Sequence, residues 1–499
     1  MKKKKDWFQI KRYPHIGLPP NYKDCGKLIS YIKNPENIKN HSFYPFIHKQ
    51  LTTRKYRKKI YKNGSRSRLR HEGIKVRDIY FANNVDSNIY SFYAKLLQEK
   101  YEEKLSALRI ENIPTAYRSI LLDENNPDGR NKCNIDFAEE IFEFIRNNSN
   151  KRLTGIAVDV TSFFDNLDHT LIKKAWKDIM GFDSRSLPSD HYNVYKNITK
   201  FSFVNEQEIF REFKDRLIVE TKNGKRSKKN VDRIAYMKSK NVIAYCEASE
   251  IKELRNKNYI KSNKVDKNGN KRTKGIPQGS PISAILANMY MMNFDYILNK
   301  YISRIGGLYR RYSDDIVIIA PVKYEKNILR IIKSEIANIN LEIKDSKTQI
   351  FRFVKLAERY YCFEKNHNTN NLNTNTRFDY LGFSFDGKYT FLKSSSLSSY
   401  YRKMKKSIRR GAILSRRINV ENTGGELFKR RLYKRFTYLG ASRRRKYERD
   451  PIKANVWIKT EYNDWGNYLS YAFMAQRILK NNKIKGQLRK HWKIFHHNL

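Results

Sequence analysis

Three aspartates stand where the surrounding residues make a carboxylate costly. Asp159 closes Leu153 to Val160, a short apolar run rich in β-branched residues that reads as a buried strand. Asp314 and Asp315 sit side by side between Leu308–Tyr312 and Ile316–Ala320, two short strands forming a hairpin. Carboxylates so placed are destabilising unless they are paired. Two like charges in contact are worse unless a cation neutralises them. Hard oxygen ligands that leave open positions suit Mg²⁺. Two such ions about 4 Å apart would clamp the attacking and leaving oxygens of an in-line phosphoryl displacement. Taken singly, Asp314-Asp315 also reads as a polar turn, and Asp159 as a helix cap. The joint occurrence favours chemistry: the acids come in this order, with the loop Gly275-Ile276-Pro277-Gln278-Gly279-Ser280-Pro281 between them.

The elements that must hold these acids are legible in outline. Asp168-His169 starts a helix to about Met180. The Gly/Pro loop leads into an apolar helix, Ile282 to Leu298. A helix over Glu325–Ile339 and two strands, Leu341–Lys344 and Gln349–Phe353, follow the hairpin. Asn366 to Asn375 reads as a loop, and Phe378 to Phe385 alternates as a strand. Upstream, Ile79 to Leu105 is helical, with Tyr93, Leu96, Leu97 and Tyr101 on one face. Thr53 to Arg70 reads as a basic nucleic-acid arm or, equally, as a solvated tail. Residues 182–274 are polar and read as an insertion with some helix. The last hundred residues read as helical and basic, with 17 Lys and Arg against two acids between Ser399 and Lys446. There Leu397, Tyr401, Met404 and Ile408 form one apolar seam opposite a cationic face. A closing helix puts Trp465, Leu469, Ala472, Phe473 and Leu479 on one side.

Charge fixes the class of partner. The chain has 499 residues, with 102 Lys and Arg against 50 Asp and Glu, a net charge of +52. An apolar fraction of 39% supports a real core and argues against whole-chain disorder. So much self-repulsion calls for a polyanion, and nucleic acid leads. The longest uncharged stretch, Gly275 to Phe294, is broken by Pro277, Gln278, Pro281 and Asn288, so no membrane span is expected. The start lacks the apolar segment of a signal peptide. Four widely spaced cysteines support neither a disulfide scaffold nor a zinc ribbon, and a cytoplasmic location fits. Gly382 to Lys388 satisfies only the first part of a P-loop, and His491, His496 and His497 lack partners at ligand spacing.

The sequence resembles reverse transcriptases, over about residues 115–390. Asp159 to Asp165 matches the first palm motif. Gly275 to Ser283 with Asn288 matches the second, and Tyr312-Ser313-Asp314-Asp315 the third. Lys347-Thr348 looks like the fourth and Tyr380-Leu381-Gly382-Phe383 the fifth. Tyr117-Arg118 and Arg130-Asn131-Lys132 look like fingers segments. The resemblance implies an α+β right-hand polymerase with fingers, a ferredoxin-like palm sheet carrying the Tyr-Ser-Asp-Asp hairpin, and a basic helical thumb. The expected organisation is a basic, partly helical extension over 1–105, fingers and palm over 106–390, and thumb and C-terminal extension over 391–499.

It further implies that Asp159, Asp314 and Asp315 are catalytic and bind two Mg²⁺, with Mn²⁺ as the substitute, helped by the backbone carbonyl of Val160. Phe164 would pack on the sugar of the incoming nucleotide and leave no room for a 2′-hydroxyl, so the substrate would be a dNTP. Gln278 and Gly279 would line the nucleotide pocket, glycine allowing backbone to approach a ligand closely. Arg118, Arg130 and Lys132 would grip the triphosphate, with plain surface charge the competing reading. Lys347 would protonate the leaving pyrophosphate or simply form a surface ion pair. Tyr380, Leu381 and Gly382 would grip the primer. Arg402, Lys405, Lys406, Arg409 and Arg410 on the thumb would follow the nucleic-acid backbone.

The tail lacks the carboxylates of a ribonuclease H domain and the Cys/His pattern of a nuclease. What is left resembles the host-encoded bacterial groups, the retron enzymes and the defence-associated or abortive-infection enzymes; the basic N-terminal extension of about 100 residues and the long stretch between the first and second motifs are departures from retron enzymes that favour the defence group. That group implies antiphage defence, a structured non-coding RNA as template, a DNA product and homo-oligomers. The alternatives are a retron or group II intron-derived enzyme, and an RNA-binding scaffold with an idle palm.

Overall fold

The structure is a computed structural model. It describes residues 7–60, 66–126, 129–184, 186–221, 224–265, 269–343, 347–366, 371–374, 376–418, 429–442, 445–449, 457–463 and 466–499. At its centre is a six-stranded sheet in the order Leu308–Tyr312, Asp315–Pro321, Leu153–Asp159, Gln349–Leu356, Arg359–Lys365, Leu372–Asn373. Every pair in it is antiparallel. Its inner strands read as unbroken apolar runs because both faces are covered. Ile316, Ile318, Ile156 and Val158 enter one core, while Val317, Ile319, Leu153 and Phe351 enter another. Strand alternation is what sends neighbours to opposite sides.

The first core is closed by the helices Asn84–Ala107, His169–Met180, Ser283–Tyr290, Met292–Arg304 and Glu325–Asn338. The second is closed by the helix Asn134–Asn147, a small sheet over Phe378–Leu392 and the C-terminal helices. A third core lies apart, in a lobe where the N-terminal segment and residues 200–262 fold together. His15–Ile16 pairs with Val242–Cys246, and Phe46–His48 pairs with Ser202–Asn205. From that lobe extends a long antiparallel ribbon, Phe46–Ile60 against Arg66–Phe81.

Several sequence expectations need correction. Ile79, Tyr80 and Phe81 belong to the ribbon, and the helix starts at Asn84; their β-branched and aromatic side chains suit a strand. Of the segment Thr53–Arg70, read as arm or tail, residues 53–60 and 66–70 are ribbon backbone, and 61–65 lie outside the described residues. The apolar helix after the Gly/Pro loop is two helices broken at Met291, and it runs to Arg304. Residues 341–343 do not form a strand; Ile343 makes only an isolated bridge to Val160. Phe378–Phe385 is two strands joined at Leu381-Gly382. The insertion carries strands as well as helices. The C-terminal region includes a hairpin, Arg445–Arg449 with Trp457–Asn463. Lys344 and Trp465 lie outside the described residues. No helix among the described residues is long and apolar enough to cross a membrane.

One buried ion pair ties the sheet to its helices. Arg311, one residue before the Tyr-Ser-Asp-Asp turn, is fully buried against Asp295, with Nη2 2.6 Å from Oδ2 and Nε 2.8 Å from Oδ1. Its Nη1 also donates to Asn288 Oδ1 (3.2 Å) and to the carbonyl of Ser313 (3.1 Å). Tyr309 Oη also donates to Asp295 Oδ1 (2.6 Å). Removing one member of a buried pair strands the other charge. Arg311→Met is expected to lower unfolding stability by about 3–5 kcal/mol, read as a drop in urea midpoint. Arg311→Met combined with Asp295→Leu is expected to recover most of that loss.

Candidate active site

Asp159 is the last residue of the central strand, and the register sets it directly opposite Asp315 on the hairpin. The turn itself is Ser313-Asp314, and Ser313 takes a φ of 61°. Val160 N–H donates to the carbonyl of Asp314 (3.2 Å), so the end of one strand holds the turn of the other. The Val160 side chain is buried beneath. All three aspartates therefore meet at one edge of the sheet.

Their electrostatics follow from the crowding. Burial, then Asp314 and Asp159, push the Asp315 carboxyl up to about 6, with Lys393 and Lys347 pulling the other way. Burial and Asp159 also raise Asp314, and Lys75 opposes this. Lys347 Nζ lies 2.9 Å from Asp159 Oδ2, with both side chains 40% exposed. In this arrangement no three His, Cys, Asp or Glu side chains among the described residues converge on one ion position. The donor set nonetheless fits hard divalent cations: it is all carboxylate, mutually repelling, and at present offset by lysine ammonium groups. Thr161 Oγ1, Ser280 Oγ and Tyr380 Oη, all in the same motifs, are buried without a hydrogen-bond partner, which is uncommon in a finished interior.

The loop and the first motif are stitched together by backbone. Ile276 N–H donates to Phe164 O (2.9 Å) and Gly275 N–H to Leu167 O (2.8 Å). Phe163 is core; Phe164 is half-buried against it, ring centroids 5.6 Å apart. Gln278 is half-buried, and its carbonyl accepts from Tyr80 N–H (2.8 Å). Gly279 has a φ of 120°, and a Cβ there would stand 2.6 Å from Tyr80 O. The sequence ascribes this glycine to a ligand's approach; the close neighbour in the structure is the ribbon's own backbone.

The three basic residues expected at the triphosphate are all engaged by carboxylates. Arg118 is buried on Glu102 and also donates to the carbonyls of Glu111 and Pro114. It is not brought to the aspartates; its five-donor fork is fixing a local turn. Arg130 makes a bidentate pair with Asp136 (2.7 and 2.8 Å), and Lys132 pairs with Glu140 (2.7 Å). Tyr117, by contrast, is exposed and lies near Tyr312.

Tyr380 is buried close enough to Asp315 for the carboxylate to add to burial in raising its phenol. Leu381 and Gly382 make the turn above it with positive φ, and Gly382 faces open space. Lys393, which acts on Asp315, pairs with Asp379 at 3.1 Å. The helix Ser394–Ile418 then buries Tyr400, Met404 and Ile408 and exposes Arg402, Lys405, Lys406, Arg409 and Arg410. Leu397 and Tyr401 of the expected seam are half-buried.

Residues 232–385 match the family described as reverse transcriptase (RNA-dependent DNA polymerase). The chain carries a reverse transcriptase domain. Such a domain is the catalytic unit of RNA-directed DNA polymerases and works with divalent metal ions. The central sheet is its palm. The match takes in the Gln278-Gly279 loop, the Tyr312–Asp315 hairpin, Lys347 and Tyr380–Gly382. Asp159 and Phe164 precede it; strand pairing brings Asp159 to the matched residues, and the bond from Ile276 N–H to the Phe164 carbonyl brings Phe164. Similar solved structures include apo telomerase from Candida tropicalis, 13% identical over 78% of this chain and 58% of that one, with a TM-score of 0.34. Another is telomerase from Candida albicans in complex with a TWJ fragment of telomeric RNA, 12% identical over 77% and 54%, with a TM-score of 0.34. The chain spans little more than half the length of those two telomerase chains.

Sequence reasoning missed Arg311, Asp295, Lys75 and Lys393. An acid inside a mostly apolar helix was the available signal for Asp295; for Lys75 there was none.

The raised Asp315 gives a pH test. Between the ordinary carboxylate value and about 6 the folded state holds the extra proton, so stability falls as pH rises through that window. Above it the repulsion is complete. In metal-free buffer, Asp315→Asn is expected to raise Tm by about 1–2 °C at pH 8, a gain that fades as pH drops below 6. Thermal scans across pH read this directly, and a pH-independent difference would contradict it.

Proposed function

We propose that the chain is an RNA-directed DNA polymerase that copies a structured non-coding RNA into DNA from dNTPs and acts in antiphage defence. The observation that carries the polymerase reading is Asp159 in register with Asp315, with Asp314 at the adjoining turn, beside a loop and hairpin of reverse transcriptase type. Two Mg²⁺ ions, or Mn²⁺ in their place, would be held by the three aspartates and the Val160 carbonyl, and would neutralise charge on the attacking and leaving oxygens.

The chain's own residues do the rest. Phe164, half-buried and tied to the loop, closes off the space a 2′-hydroxyl needs. Gln278 and Gly279 present backbone at the nucleotide pocket. Lys347 leaves Asp159 and hands a proton to the pyrophosphate oxygen. Of the basic residues upstream, Arg130 keeps open surface and is the one suited to the triphosphate; Arg118 stays in its turn. Tyr380, Leu381 and Gly382 support the primer end, and the thumb cations hold the phosphodiester backbone without reading sequence. Homo-oligomers belong to the same reading. The defence assignment rests on resemblance: a large basic extension and a long insertion between the first two motifs, parts of which share one core.

Asp159→Asn and Asp314→Asn are each expected to cut DNA synthesis by at least about a thousandfold while RNA binding persists; undiminished synthesis in either sinks the assignment. Phe164→Ala is expected to lower discrimination against ribonucleotides by about tenfold or more, measured as the ratio of kcat/KM for dNTP and rNTP. Purification from a host carrying the native flanking DNA, with sequencing of bound nucleic acid, tests the dedicated template. A retron-like RNA with a priming guanosine would shift the reading to that group.

A further inference from the structure

The ribbon has two unlike faces. Neighbours on a strand point to opposite sides, and residues directly opposed across the ladder share a side. The register opposes Leu51 to Arg77 and Thr53 to Lys75, and alternation adds Ile79 to that face. It opposes Gln50 to Asp78, Thr52 to Val76 and Arg54 to Ile74 on the other. The described acids of the ribbon, Glu72 and Asp78, both fall on this second face. Each already has a cationic or protonatable partner: Arg54 at 3.3 Å from Glu72, His48 at 2.8 Å from Asp78. The first face carries Lys75 and Arg77, exposed, and neither makes an ion pair among the described residues. Charge on one side is cancelled, and on the other it is left available.

Residues of the cationic side reach the catalytic centre. At the base, Ile79 Cγ2 would lie 3.1 Å from a Cβ on Gly279, and Tyr80 N–H holds the Gln278 carbonyl. Farther out, Lys75 is near enough to Asp314 to act on its carboxyl. Beyond His48 the ribbon has no third strand among the described residues, since the Ser202–Asn205 strand pairs only with Phe46 to His48. Strands of 15 and 16 residues reach roughly 50 Å at about 3.3 Å per residue. A two-stranded ribbon standing alone in water is marginally stable, and here Leu51, Leu69, Ile74 and Val76 are exposed on it.

We propose that this ribbon is a strap that lies along the template–product duplex at the catalytic centre and holds its phosphodiester backbone through Lys75 and Arg77. The occupant follows from position: what the cationic face meets is whatever the three aspartates act on. In an A-form hybrid the major groove is too narrow to read, so the contacts are to phosphate and carry no sequence preference. The inference rests on the polymerase reading for the identity of the duplex, and on register and charge for the strap.

The test is fluorescence anisotropy of the full chain with a short labelled RNA–DNA hybrid across a salt series. Lys75→Ala combined with Arg77→Ala is expected to weaken binding several-fold and to make the slope of log affinity against log salt shallower by about two. Arg54→Ala, on the opposite face, is expected to change neither. Lys75→Gln combined with Arg77→Gln, checked for an unaltered Tm, guards against a folding defect and is expected to match the alanine pair. Unchanged affinity and slope in the double variants overturns the strap, as does an equal loss in Arg54→Ala. Primer extension by the wild-type chain separates the two readings. If it extends primers and the double variants bind normally, only the strap fails. If it binds the hybrid through this face yet extends nothing, the polymerase reading fails and the strap stands.

Discussion

The Arg311–Asp295 pair is the constraint on which the catalytic geometry depends. Burying two charges is costly, and the fold meets that cost by filling nearly every donor and acceptor around them. Arg311 reaches Asp295, Asn288 and the Ser313 carbonyl at once. Asn288 passes the link on to the carbonyl of Ala116. One guanidinium thus joins two helices, the hairpin strand and the segment leading into the fingers. The turn that bears Asp314 is held from behind by a rigid planar group, which a lysine's single flexible ammonium would not replace.

Around that fixed turn the charges are deliberately out of balance. Three aspartates repel one another, and lysines from separate segments, Lys75, Lys347 and Lys393, lean on them. Each lysine arrives on a different element: ribbon, loop before the fourth strand, and base of the thumb. The site is therefore assembled from the whole length of the chain, and its resting electrostatics depend on all those parts being docked.

The acids, the Gly/Pro loop and the hairpin were legible because their chemistry is local: a carboxylate after a β-branched run, glycines in a loop, aspartates in a two-residue turn. The thumb helix was legible for the same reason, its apolar seam and cationic face being written at helical spacing. What was not legible depends on distant partners. Arg118 looks like a surface cation until Glu102 is folded against it. Nothing near Gly279 in the sequence announces that Tyr80 packs on its backbone. The strands of the insertion were missed because each is short, and two of them pair with residues 157 and 229 positions earlier in the chain.

That last pairing has a consequence for synthesis in the cell. His15 waits for Ala244, and Phe46 for Phe203, before their sheets exist. At about 5–20 residues per second, the ribosome takes roughly ten to fifty seconds to supply those partners. Until then the ribbon strands have only each other, and a two-stranded ribbon alone in water is marginally stable, so its base gains support only when Ser202–Asn205 pairs with Phe46–His48.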